Sequence, residues 1–215
     1  MKRNILFGVL SVMVVALSAP AVAQEMVTVR ITNVSKQIIS PPVVASHTWK
    51  ERIFVPGSPA STELSMLAED GDPSALAALL GDSDEVLDVA VAAGPLLPGA
   101  TMVFELESQG KFNRVSAVGM LVTTNDAFFG LDNYPVESGG QNQRMSVPAW
   151  DAGTEFNNEI CGFIPGPPCG SPFVRDTDGA EGFVHVHPGL HGGGDLSPAD
   201  WNWQNPVVDI RIVKK

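Results

Sequence analysis

Residues 26–33 alternate Val27, Val29 and Ile31 with Thr28, Arg30 and Thr32, the period-two pattern of a strand with one buried face. The same reading predicts strands over 43–49, 86–91, 101–107, 114–123, 183–187 and 207–213. Gly and Pro punctuate nearly every gap between them. Short strands separated by turn-formers predict a sandwich or barrel rather than an alternation of strands and helices. One helix stands out, because Asp72 and Pro73 lead into Ser74-Ala75-Leu76-Ala77-Ala78-Leu79-Leu80 and Gly81 follows. An N-cap residue, proline at the first helical position and glycine past the end mark its limits, and its leucines are expected to pack over one sheet. Residues 61–68 suggest a further turn of helix. The acidic run Glu69-Asp70-Gly71-Asp72 behind it lacks the twelve-residue EF-hand pattern and reads as a solvated loop.

The amino terminus departs from this pattern. Lys2 and Arg3 precede an apolar run over 5–17, and Ala21-Val22-Ala23 follows with the small-x-small pattern of a signal-peptidase site. Residues 1–23 therefore read as a leader cleaved after Ala23, leaving a single domain, 24–215, that is secreted or periplasmic. The run is shorter than the roughly 20 residues of a membrane span, and no later segment reaches that length without charges, Gly or Pro.

Charge narrows the partners. Loss of Lys2 and Arg3 leaves 11 Lys and Arg against 24 Asp and Glu, a net charge of -13. Nucleic acid, heparin-like chains and anionic lipid surfaces are held mainly through Lys/Arg clusters, and the sequence shows none. Only two cysteines occur, Cys161 and Cys169, around a loop of Gly, Pro and bulky residues that continues neither a helix nor a central strand. In an oxidising compartment they are expected to form a disulfide. The competing readings, a redox pair or half a metal site, lack the C-x-x-C spacing and a second cysteine pair.

Two stretches carry candidate chemistry. Thr123-Thr124-Asn125-Asp126-Ala127-Phe128-Phe129-Gly130 and Pro148-Ala149-Trp150-Asp151-Ala152-Gly153-Thr154-Glu155 each place acidic side chains at a turn behind an apolar run. Ca²⁺ takes six to eight oxygens at about 2.3–2.6 Å from carboxylates, carbonyls and water. Asp126, Asp151 and Glu155, with carbonyls around 123–125, form such a set, and Asp132 and Glu137 are weaker candidates nearby. The alternative is that Asp126 and Asp151 cap turns through their own backbone contacts. A second set is His185, His187 and His191, three of four histidines in the chain. His185 and His187 are two apart and share a strand face, while the glycine-rich loop 192–194 could swing His191 or Asp195 towards them. Imidazoles so placed suit Zn²⁺ or Cu²⁺. Trp201 and Trp203 flank Asn202 and would share a face in extended chain, as a sugar-stacking platform or, more commonly, as core. Trp49 and Trp150 read as packing residues. No nucleophile elbow, H-E-x-x-H, phosphate loop or dinucleotide fingerprint occurs, so no sequence pattern argues for an enzyme.

The chemistry-bearing stretches also carry a family likeness. Asn125-Asp126-Ala127-Phe128-Phe129-Gly130-Leu131 resembles the S-P-D-W-F-V-G segment of spondin domains, the amino-terminal module of F-spondin and mindin. Asp151-Ala152-Gly153-Thr154-Glu155 resembles their D-A-G-T-D, with Glu155 where the family has Asp. The opening Val27-Thr28-Val29-Arg30-Ile31-Thr32-Asn33-Val34-Ser35 and the closing Asn205-Pro206-Val207-Val208-Asp209-Ile210-Arg211-Ile212 resemble that family's first and last strands, so the likeness spans nearly all of the chain behind the leader. It implies an all-β, C2-like antiparallel β-sandwich with one or two short helices in its connections. It also implies a calcium-binding, non-catalytic module for adhesion, whose partner would be an extracellular protein or glycan. A secreted metalloenzyme or transition-metal binder using His185, His187 and His191 is the alternative from another class.

Overall fold

The structure, a computed structural model, describes residues 25–137 and 139–214, and the expected leader lies outside them. In chain order the strands are β1 (Met26–Asn33), β2 (Val43–His47), β3 (Val86–Val91), β4 (Thr101–Glu107), β5 (Arg114–Met120), β6 (Ala127–Pro135), β7 (Gln143–Val147), β8 (Ala149–Asp151), β9 (His185–Val186) and β10 (Val208–Lys214). The helices are α1 (Thr62–Asp70), α2 (Ser74–Gly81) and the single turn α3 (Pro198–Trp201). Two antiparallel sheets result, β4-β1-β10-β7 and β3-β2-β5-β6-β8-β9. The fold is an all-β antiparallel sandwich.

Its layers follow from the side-chain patterns. Val27, Val29 and Ile31 of β1 and Ile210 and Ile212 of β10 face inward and meet Val44, Ala117 and Phe129 of the larger sheet. The opposite face of that larger sheet is covered as well. Leu64 and Leu67 of α1 and Leu76 and Leu80 of α2 pack with Val43, Ala45, Val118 and Phe128, as expected for two of the three leucines of 74–81, whereas Leu79 is exposed. Adjacent residues of β6 therefore serve different cores, Phe129 between the sheets and Phe128 beneath the helices. Gly119 and Gly130 make room for these rings: a Cβ on Gly119 would lie 2.7 Å from the Phe129 ring, and one on Gly130 2.6 Å from that of Phe54.

Several predicted boundaries shift for identifiable reasons. β5 ends at Met120, not at 123, because the Thr124 hydroxyl donates to the Leu121 carbonyl (2.7 Å) and accepts the Ala127 N–H (3.0 Å), closing a tight turn. β6 and β8 have no alternating pattern to reveal them, since the first half of β6, 127–130, is buried on both faces and β8 spans only three residues. Trp49 is 66% exposed rather than packed, whereas Trp150 donates its indole N–H to the Gly130 carbonyl (2.9 Å) beside Phe54. No helix among the described residues is long and apolar enough to cross a membrane.

Candidate metal centre

Strand register brings the site together. Asp151, the last residue of β8, stands opposite Ala127 of β6 on one side and His185 of β9 on the other. Asp126 immediately precedes β6, so Asp126, Asp151 and His185 lie at one end of the larger sheet. The chain behind Asp151 then folds back over Asp126. The Ala152 N–H donates to the Asp126 carbonyl (3.2 Å), while the N–H groups of Thr154 and Glu155 donate to Asp126 Oδ2 (2.8 and 3.1 Å). Asp151 Oδ1 accepts the Gly153 N–H (2.7 Å) and Oδ2 accepts the Asn157 side-chain amide (2.7 Å). Gly153 is required at this turn: its φ is +67°, and a Cβ would sit 2.3 Å from the Phe183 carbonyl oxygen.

Each aspartate caps a turn through backbone N–H groups, and each is also buried near other acids. Asp126, Asp151 and Glu155 are wholly inaccessible to solvent. Glu155 directs one oxygen to the Asp176 N–H (3.1 Å), yet its Oε2 and Asp126 Oδ1 are buried with no hydrogen-bond partner. Such orphaned acceptors are rare in folded proteins and costly. Among the described residues no Lys or Arg forms an ion pair with any of the three; Arg175, in the loop before β9, pairs with Glu69 and Asp70 of α1 instead. Burial drives the Asp126 carboxyl well above its ordinary range, and the neighbouring charge of Asp151 adds to the shift. Burial likewise raises Asp151, and lifts Glu155 to about 8, reinforced by the charge of Asp126.

Asp151 also belongs to a second grouping. One ligand atom each of Asp151, Glu181 and His185 lie within 4.8 Å of one another, with His185 Nδ1 3.8 Å from Asp151 Oδ1. Asp151 is buried, His185 half-buried and Glu181 exposed, so this group opens to solvent. Together these residues could hold a metal ion. Sequence spacing does not single out Glu181, which reaches the site only because the loop before β9 folds across the sheet end.

The histidines do not gather as one set. His185 and His187 both approach Asp151, as strand periodicity predicts, with His187 Nε2 3.7 Å from Oδ2. Both His187 nitrogens are engaged, however: Nδ1 accepts the Gly189 N–H (3.0 Å), which leaves Nε2–H to donate to Asn157 Oδ1 (3.1 Å). Burial, aided by the nearby His185 and His191, lowers its pKa to about 3, so it is neutral. It props Asn157, which in turn holds Asp151. His191 stands instead beside Glu159, at 3.7 Å. The glycine-rich loop does not swing freely, because the buried Glu159 carboxylate accepts the N–H groups of His191, Gly192 (2.7 Å) and Gly193 (3.0 Å). Asp195 is taken by the Cys161 N–H (2.8 Å).

The remaining candidates fall elsewhere. Asp132 pairs with Arg52 and accepts the Ile53 N–H (2.7 Å), and Glu137 is exposed in the β6–β7 connection. Trp203 is buried with its ring 5.0 Å from that of His187, and Trp201 lies in α3, so the two form no shared platform. Cys161 and Cys169 form the expected disulfide, with an S–S distance of 1.99 Å. No protein-family model matches the chain, and no curated protein matches it.

Proposed function

We propose that this chain is an exported, calcium-binding β-sandwich module of the spondin type, which binds an extracellular protein or glycan in adhesion and performs no catalysis. The observation that carries the reading is the pair of buried, unpartnered oxygens, Asp126 Oδ1 and Glu155 Oε2, in a set of three buried carboxylates. A hard divalent cation would supply the positive charge and the coordination that these oxygens lack. Asp126, Asp151 and Glu155 would hold it, and Glu181 stands beside Asp151 at the solvent side. The ordered spondin-like motifs support the family, and the disulfide supports an oxidising compartment.

In this reading the cation joins three segments: the β5–β6 turn, the loop behind β8 and the loop before β9. Their carboxylates would otherwise repel one another. Neutralised, they present a rigid surface, or an open coordination position, to a ligand hydroxyl or carboxylate. Metal analysis of the mature protein with melting curves in chelator, Ca²⁺ and Zn²⁺ tests this. Near-stoichiometric calcium and a calcium-restored melting temperature support it, and indifference to calcium rejects it.

A second reading rests on His185. With Asp151 and Glu181 it makes a one-imidazole, two-carboxylate group suited to Zn²⁺ or Cu²⁺, as in a secreted metalloenzyme or metal carrier. Zinc or copper retained through purification and lost in His185→Ala would favour it over calcium.

A further inference from the structure

Three arginines far apart in sequence stand in one row on the outer face of the four-stranded sheet. Arg30 of β1 is in register with Arg211 of β10, and Arg211 with Arg144 of β7. All three are exposed. Like charges directly opposite one another on neighbouring strands destabilise a sheet, and this chain has only 13 Lys and Arg against 24 Asp and Glu. No local cluster exists in the sequence because positions 30, 144 and 211 meet only through strand pairing.

The row is incompletely neutralised. Asp209 takes Arg144, whose Nε donates to Oδ2 at 2.7 Å, and reaches Arg211 only at 3.9 Å. Arg30 has no hydrogen-bond or ion-pair partner among the described residues. Glu105, the next acid on that face, accepts the Thr28 hydroxyl through both oxygens (2.9 and 3.0 Å). The arginines line an open concavity of about 290 Å³ together with Thr32 and Thr101, whose hydroxyls lie 2.8 Å apart. That volume is near the lower bound of small-ligand pockets, about 300–1,000 Å³.

We propose that this concavity is a binding site for a single tetrahedral oxyanion, a sulfate or phosphate group carried by a small ligand, held by Arg30 and Arg211 with Arg144 and Asp209 fixing its wall. Guanidinium forks match such oxygens in bidentate geometry. The chain's net charge of -11 repels extended polyanions at long range, so a single group in a local positive concavity is favoured over a long polyanion. The site is separate from the carboxylate cluster and does not depend on the calcium reading.

The test is an NMR titration of the ¹⁵N-labelled mature protein, following the Arg30, Arg144 and Arg211 Nε–H signals. Sodium sulfate and sodium phosphate are compared with sodium chloride at matched ionic strength. The expected result is a saturable millimolar response to sulfate or phosphate, weakened tenfold or more in Arg30→Gln and in Arg211→Gln and retained in Asp126→Asn. Both arginine variants are exposed changes whose folding is checked from the same spectra. Glucose 6-sulfate and glucose 6-phosphate then separate the sources: tighter binding of either identifies it, and equal binding supports the shared chemistry. An equal response to chloride, a non-saturable drift, or binding unchanged in both arginine variants overturns the proposal.

Discussion

The Glu155 backbone N–H donates to Asp126 Oδ2 at 3.1 Å, while the other oxygen of each carboxylate, Asp126 Oδ1 and Glu155 Oε2, is buried without a partner. One oxygen of Asp126 thus serves the fold, and the other is the one that the calcium proposal assigns to the ion. Asp126→Asn separates these roles, since the amide oxygen still accepts the Thr154 and Glu155 N–H groups but the charge is gone. In chelator the variant is expected to melt no lower than the parent chain, because it removes an uncompensated buried acid. Calcium at a hundred times its dissociation constant adds about 2.7 kcal/mol to a one-site protein, or roughly 5–10 °C for a domain of this size. That gain is expected in the parent and absent in Asp126→Asn, as read by calorimetry.

Why this pairing was only partly legible in sequence is a matter of range. Acids at turns behind apolar runs are local features, so Asp126, Asp151 and Glu155 stand out along the chain. Strand alternation likewise exposes β1 and β10, each with one face bare to solvent. β6 escapes because Phe128 and Phe129 are buried on opposite faces and leave no polar phase. Glu181 and the row of Arg30, Arg211 and Arg144 escape for a different reason: their meaning arises only when loops and strands distant in sequence are brought into register.

The raised carboxyl of Glu155 sets a direction for pH dependence. Its folded-state value of about 8 lies above the ordinary glutamate value near 4.3, so between those limits the folded chain holds a proton that the unfolded chain has released. This contribution is therefore present at the acid end and is lost as pH rises through about 8. In chelator the slope from this one group is at most about 1.4 kcal/mol per pH unit. Denaturant melts at pH 5.5 and 8 are expected to show the loss, and Glu155→Gln to make it smaller, the raised carboxyls of Asp126 and Asp151 keeping a slope of the same sign. A parent slope matching that of Glu155→Gln would contradict the assignment.

Gly153 is where the fold and the site are most tightly coupled. Alanine there must adopt a φ of +67° and place Cβ 2.3 Å from the Phe183 carbonyl. The backbone must move, which separates the loop behind β8 from the chain entering β9. Strain and overpacking of this kind cost about 1–3 kcal/mol. Displacing the support of a ligand typically weakens metal binding about 10–100-fold. Gly153→Ala should show both effects, whereas Gly57→Ala, also at positive φ but with nothing within 4 Å of the added Cβ, should leave calcium affinity unchanged.

The disulfide closes a short segment, Cys161 and Cys169 being eight positions apart. Chain-entropy reasoning assigns such a closure about 2.5 kcal/mol, hence a melting temperature lower by roughly 5–10 °C on reduction or in Cys161→Ser with Cys169→Ser. Calorimetry under oxidising and reducing conditions reads this directly. A loss well beyond that range would indicate that the bridge also fixes the 191–195 loop, through the Cys161 N–H donated to Asp195.

His185 and His187 differ in what they support, although strand periodicity makes them look equivalent. His187 is buried against Trp203 and props Asn157, which holds Asp151. His187→Ala leaves a cavity and an unpaired Asn157 oxygen, so a loss of about 2–4 kcal/mol is expected with or without metal. His185 is half-buried and contacts Asp151 from the solvent side, so His185→Ala should change stability in chelator by no more than about 0.5 kcal/mol. Its effect is expected in zinc affinity, read by competition with a chromogenic chelator, while calcium-dependent melting stays close to that of the parent. Loss of the calcium response in His185→Ala would instead mean that one ion draws on the imidazole and the buried carboxylates together, with Asp151 as their shared ligand.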